Sequence, residues 1–172
     1  MKNLILILFV ILVSACSSSA KKSTEKLYYR FPEANSFAVD KGMLIKRPTA
    51  MGIIGNRPMV VQDTNGALKQ MHHNFWLDSP KVLLHNYLLK TFSNSPKETD
   101  LILNSQILKL EKKQNTALLE IKFTAANLQG KPVFNKIYSL ETSLTSNNIP
   151  LFAKSIGKML EQIVSQLTQD LQ

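Results

Sequence analysis

One thiol and three histidines are the side chains best equipped for chemistry in this 172-residue chain. The thiol is Cys16, and with no second cysteine an internal disulfide, a paired-thiol redox centre and a cysteine-rich metal site are all excluded. Neighbouring residues on a strand point to opposite faces, so His72 and His73 cannot grip one ion from a flat strand. His85 falls in an apolar run beside Leu88 and Leu89, where a hydrogen-bonded, buried imidazole is the simpler reading. No Asp or Glu stands at ligand spacing from these histidines, and the five Asp and seven Glu are dispersed. No Gly-x-Ser-x-Gly elbow, phosphate-cradling glycine loop or His-Glu-x-x-His pair occurs. Nothing in these spacings argues for catalysis, a metal or a cofactor.

The residues before Cys16 give its thiol a different task. Lys2 supplies a positive start, and Leu4 to Val13 is an unbroken apolar run. A membrane span needs about 20 apolar residues, so this run suits an export signal instead. Leu12-Val13-Ser14-Ala15-Cys16 then resembles the lipobox of bacterial lipoproteins. That resemblance implies a diacylglycerol on the Cys16 thiol, cleavage of residues 1–15 as a signal peptide, and acylation of the new amine. Each buried CH₂ contributes about 0.8 kcal/mol, so two or three acyl chains anchor a protein firmly to a bilayer. In proteobacterial lipoproteins an Asp after the cysteine favours retention at the inner membrane; Ser17 at that position implies sorting to the outer membrane, facing the periplasm. The alternative is an ordinary cleaved signal followed by a chance cysteine.

Removing residues 1–15 leaves 157, the size of one domain with a sizeable core. Lys and Arg number 21 against 12 Asp and Glu over the whole chain. Such a basic balance suits nucleic acid, anionic lipid headgroups or an acidic protein partner, and export removes nucleic acid from that set. Ser17 to Lys26 holds only Ala20 as an apolar residue, so residues 16–26 read as a lipidated cysteine and its tether, with Lys21, Lys22 and Lys26 near the headgroups.

From residue 27 onward the chain reads as a single α+β domain. Leu27 to Phe31 and Met43 to Lys46 are short strand candidates ended by Pro32 and Pro48, and a turn falls between Ile53 and Gly55. Pro58 to Gln62 and Ala67 to Phe75 form a hairpin about Asp63-Thr64-Asn65-Gly66, because Asn-Gly tolerates positive φ. A helix runs from Pro80 to about Phe92, with Asp78 or Ser79 as its cap and apolar residues on most of its circumference, which predicts burial between other elements. Leu101 to Leu110, Ala117 to Ala125 and Val133 to Leu140 form an antiparallel meander. Asn147 or Asn148 caps a last helix with Pro150 near its start. On it Phe152, Ile156, Met159, Leu160, Ile163, Val164 and Leu167 make a stripe that docks on the sheet. The expectation is an antiparallel or mixed sheet of about six to seven strands, with two helices packed on one face and an interior filled by their own side chains.

Three stretches and the element order carry a likeness to a known family. They are Leu27-Tyr28-Tyr29-Arg30-Phe31, then Gly55-Asn56-Arg57-Pro58-Met59-Val60-Val61, then His73-Asn74-Phe75-Trp76-Leu77-Asp78-Ser79-Pro80 leading into the Leu-rich helix. Together with Leu128-Gln129-Gly130-Lys131-Pro132 in the meander, they make the chain after Cys16 resemble the ABC-type transport auxiliary lipoproteins, the PqiC/YmbA-like family. The resemblance spans nearly all of that chain, as a fold pattern without a catalytic motif. It implies an outer-membrane lipoprotein that accompanies a periplasmic MCE-domain protein, in a system driven by an inner-membrane ABC ATPase and moving lipids between the membranes. The His72-His73 pair and the Thr49 to Ile54 stretch depart from the family pattern.

Tyr29, Arg57 and Trp76, one from each of the three stretches, are the candidate partner contacts. Trp is enriched at interfaces, although a large aromatic at a strand-to-helix corner also suits a core. Homo-oligomers are compatible with the same reading. Competing readings are a stand-alone envelope lipoprotein that shields a lipid tail between sheet and helices, a factor assisting outer-membrane assembly and, furthest from the sequence, an enzyme.

Overall fold

The computed structural model describes residues 25–172, so the signal peptide, Cys16, Ser17 and most of the tether lie outside the described residues. In chain order the elements are β1 (Leu27–Tyr29), β2 (Met43–Ile45), β3 (Thr49–Ala50), a 3₁₀ turn (Gly52–Gly55), β4 (Pro58–Gln62) and β5 (Leu68–Trp76). Helix α1 (Pro80–Thr91) follows, then β6 (Leu101–Lys113), β7 (Thr116–Asn127), β8 (Pro132–Ser143) and α2 (Ile149–Asp170). The fold is α+β, with one mixed sheet ordered β1-β5-β4-β6-β7-β8 and with β2 and β3 also pairing to β6.

The sheet is built around β6. On one side it meets β7 antiparallel from Leu101↔Asn127 to Lys113↔Thr116. On the other, β2, β3 and β4 follow one another along it in parallel, through Met43↔Leu101, Thr49↔Gln106 and Val60↔Glu111. Pro48, Pro58 and the Gly52–Gly55 turn interrupt this second side, since proline has no N–H to give a ladder. Thr49–Ala50 is the strand beyond the expected seven, and two residues are too few to show an alternation.

The expected hairpin about Asn65-Gly66 is present. Gly66 has φ +85°, and Asp63 Oδ1 accepts from the N–H groups of Asn65 and Ala67, both at 2.9 Å. The meander also forms, with each strand running a few residues longer than its apolar alternation.

Helix α1 departs from expectation in two ways. Ser79 holds the cap position without a side-chain cap bond, and Asp78 Oδ1 accepts only the Ser79 N–H at 2.8 Å, so Pro80 and the backbone start the helix. Its apolar girdle is not buried all round either: Leu84 and Leu88 are enclosed while Leu89 is 48% exposed. One face of α1 is enough to cover β2, β3 and the 3₁₀ turn.

Helix α2 follows its pattern closely. Asn148 Oδ1 accepts the Leu151 N–H at 2.8 Å, and every member of the predicted stripe is buried against β7 and β8. Both helices join a single core on the same face of the sheet, in which Leu119, Ile121 and Phe123 meet Phe152, Ile156, Ile163 and Leu167. Burying one such side chain contributes about 1.5–3 kcal/mol. Among the described residues the core runs from Phe31 to Leu171. Among the described residues no helix is long and apolar enough to cross a membrane.

Candidate functional site

The three candidate contacts gather at one corner of the domain, where β1 closes the sheet. Tyr29 is in register with Trp76 across the parallel β1–β5 pair. Trp76 donates its N–H to the Arg57 carbonyl at 2.7 Å, and Arg57 Nε returns a bond to the Trp76 carbonyl at 3.5 Å.

Their exposure separates them. Trp76 is 1% exposed, stacked edge-on to Phe31 at 5.3 Å and tilted against Phe152 at 6.2 Å. It is therefore a core residue that ties β5 to α2, and a direct contact between its indole and a partner is closed to it. Tyr29 is half-buried, and Arg57 is exposed.

Around this corner lie two surfaces. On the outer sheet face the paired rings of Phe75 and Tyr28 are flanked by two cations, Lys26 and Arg57. Lys26 Nζ stands 5.6 Å from the Phe75 centroid, Phe75 5.6 Å from Tyr28, and Arg57 5.4 Å from Tyr28. Contacts of this type contribute about 0.5–1 kcal/mol each at exposed sites. On the other side a groove of about 690 Å³ runs between β1 with its continuation to Glu33 and the first half of α2. Tyr29, Phe31, Pro32, Leu77 and Ala153 line it, and Arg30, Lys154, Lys158 and Glu161 stand on its rim.

Gly157 sets the depth of this groove. A Cβ there would lie 3.0 Å from Pro32 Cδ and 3.3 Å from Pro32 Cγ, so the absence of a side chain lets the proline sit on the helix. The groove escaped the sequence reading, although one signal was present: an unexplained glycine in the middle of a strongly periodic helix.

The titratable groups around the site are shaped by burial and by short-range pairing. The Tyr87 hydroxyl is pushed up to about 12, by burial first and then by the charge of Glu161. At the far end of α2, Lys136 and then Tyr138 hold the Asp170 carboxyl below its ordinary range. The histidines stand apart from the groove. His72 and His73 are exposed with rings 6.5 Å apart, and His85 places Nε2 3.3 Å from the Ile45 carbonyl. No group of three potential metal ligands occurs among the described residues.

No family model and no curated protein matches the chain. Solved structures do. A crystal structure of an uncharacterized protein, 14% identical, superposes with a TM-score of 0.73 over 86% of this chain and 99% of that one. A Xanthomonas campestris protein carrying the family designation DUF330, 18% identical, superposes with a TM-score of 0.72 over 82% of this chain and 92% of that one. Similarity at these identities establishes the shared fold.

Proposed function

We propose that this chain is a lipid-anchored docking subunit, held by acylated Cys16 to the periplasmic side of the outer membrane and bound to the periplasmic MCE-domain protein of an ABC-driven lipid transport system. The observation that carries this reading is the division of labour in the chain. The Met1 to Cys16 stretch has the pattern of an export signal and lipobox, and the domain behind it fills its interior with its own side chains. A domain of that kind offers surface, and here the corner around β1 combines exposed rings, cations and an apolar groove. Ser17 would set the membrane address.

Two measurements test the two halves of the reading. Metabolic labelling with a fatty acid is expected to mark the wild-type chain and not Cys16→Ala, since no other residue can accept the thioether lipid; label on the variant rejects the anchor. Tagged protein extracted from envelopes in mild detergent is expected to bring down an MCE-domain protein, and its absence from a labelled, correctly fractionated sample rejects the docking role.

The groove also gives a specific reason to keep a second reading, a stand-alone envelope lipoprotein that binds a lipid. Native mass spectrometry of Ser17 to Gln172 after expression in cells separates them. Stoichiometric phospholipid on that domain would favour the second.

A further inference from the structure

We propose that the groove between β1 and α2 is the docking site for an extended, acidic segment of a partner protein, which adds a strand to the open edge of β1. The proposal rests on the docking reading and deepens it by naming the surface and the kind of ligand. The first observation is the edge itself. Among the described residues β1 ends the sheet order and pairs only with β5, and the Tyr29 carbonyl accepts from the Leu77 N–H. Successive residues of a strand turn their N–H and C=O groups to opposite sides, so those of Tyr28 face away from β5. An unpaired edge is a template for another strand, and such pairing is a recurrent way of capturing peptides.

The second observation is what lies beside that edge. Alternate side chains of an added strand would point toward Phe31, Pro32 and Ala153, and about 690 Å³ falls within the roughly 300–1,000 Å³ typical of ligand sites. The third is charge. Lys154 and Lys158 are exposed one turn apart on α2, and Arg30 is exposed on the opposite wall. Two carboxylates, Glu33 and Glu161, also line the groove, against the three cations Arg30, Lys154 and Lys158, and Glu33 additionally pairs with Lys90 at 3.2 Å, so the rim keeps a modest positive balance. An acidic segment complements that rim. A lipid tail fits less well, because it has nothing to bond to the turned-out backbone groups of β1.

The test uses Ser17 to Gln172, which includes every core residue among the described residues, from Phe31 to Leu171. This protein is titrated with a synthetic acetylated peptide of alternating Val and Asp while its backbone amides are followed by NMR. Saturable shifts are expected at Tyr28 and Arg30. N-methylation of the peptide at alternate residues should abolish them when it falls on the pairing side. Lys154→Glu combined with Lys158→Glu, both on exposed positions and checked for native amide dispersion, should weaken binding about tenfold and flatten its salt dependence. Equal affinity for a Val-Lys peptide, or unshifted Tyr28 at saturating peptide, would overturn the proposal. So would the same residues responding to short-chain phosphatidylglycerol while ignoring the peptide. None of these outcomes alters the acylation or copurification results, so a wrong site and a wrong function are told apart.

Discussion

Phe152→Ala removes the ring on which the helix-to-sheet contact turns, and its cost can be worked from the structure. Phe152 is fully enclosed, 6.2 Å from Trp76, which is itself 5.3 Å from Phe31. Deleting a buried Phe side chain costs about 3–5 kcal/mol through lost transfer energy and the cavity left behind. The aromatic pair accounts for about 0.5–1.5 kcal/mol of that. Against a total stability of about 5–15 kcal/mol, a loss of this size is severe. For a domain of this length a cost of about 4 kcal/mol lowers Tm by roughly 8–16 °C. The assay is a urea titration of Ser17 to Gln172, followed by the fluorescence of Trp76, the sole tryptophan, and by far-UV circular dichroism. The slope should be unchanged, so that the midpoint reports stability alone. Phe152→Leu, which keeps most of the volume, should cost less than about 1.5 kcal/mol, and Leu89→Ala on the half-exposed side of α1 should stay within about 0.5 kcal/mol. A Phe152→Ala loss indistinguishable from that of Leu89→Ala would refute the packing described for α2.

Three further outcomes are expected. The raised hydroxyl of Tyr87 contributes stability that is full below its ordinary value of 10.0 and lost as pH climbs through about 12, so Tyr87→Phe should match wild type at neutral pH and outlast it in alkali; urea midpoints that fall together above pH 10 would reject this. Burial is the main cause that raises the Glu111 carboxyl, which makes its ionised form unfavourable in the folded state, so Glu111→Gln should stabilise at pH 7 and lose that advantage once acid protonates the wild-type group; an advantage independent of pH would point to a different cause. Asn148→Ala removes the bond to the Leu151 N–H and should cost about 1 kcal/mol by chemical denaturation, whereas Asn147→Ala should leave the α2 cap intact.

The parts of the fold that were legible in the sequence are those whose burial repeats over many residues. The alternation of Ala117, Leu119, Ile121, Phe123 and Ala125 and the stripe on α2 each offer enough repeats to identify the element and its inner face. Thr49–Ala50 offers two residues, and its place beside Gln106 and Ile107 is fixed by the prolines and the 3₁₀ turn around it. The exposure of Leu89 was hidden for a different reason. Leucine adds to an apolar girdle whether or not another element arrives to cover it, and α1 receives cover on one side only.

Among the site residues, Trp76 stands in the core, as its place at a strand-to-helix corner suited, whereas its meeting with Tyr29 and Arg57 at one corner and the groove beside them were not legible. Both depend on how β1 meets α2, a contact between the two ends of the domain that turns on Pro32 resting against Gly157. Local periodicity carries no trace of such a meeting.

The three-residue length of β1 also gives the domain a defined mechanical behaviour. Tension arriving from the N-terminal side would reach β1 first, where the pairs from Leu27↔Asn74 to Tyr29↔Trp76, the contacts of the Tyr28 ring with Phe75 and Arg57, and the packing of Tyr29 resist it. The enclosed core residues begin at Phe31, so peeling β1 from β5 would withdraw only the half-buried Tyr29 from the packed interior. The strand is already extended at about 3.3 Å per residue, so its release frees a link of roughly 10 Å to turn toward the pull without lengthening. In the proposed anchored state the corner would act as a fuse between the anchor and the core. Since β1 is also one wall of the groove, tension that releases it dismantles the groove as well, and an added strand bridging β1 to its surroundings would raise the force at which the fuse opens.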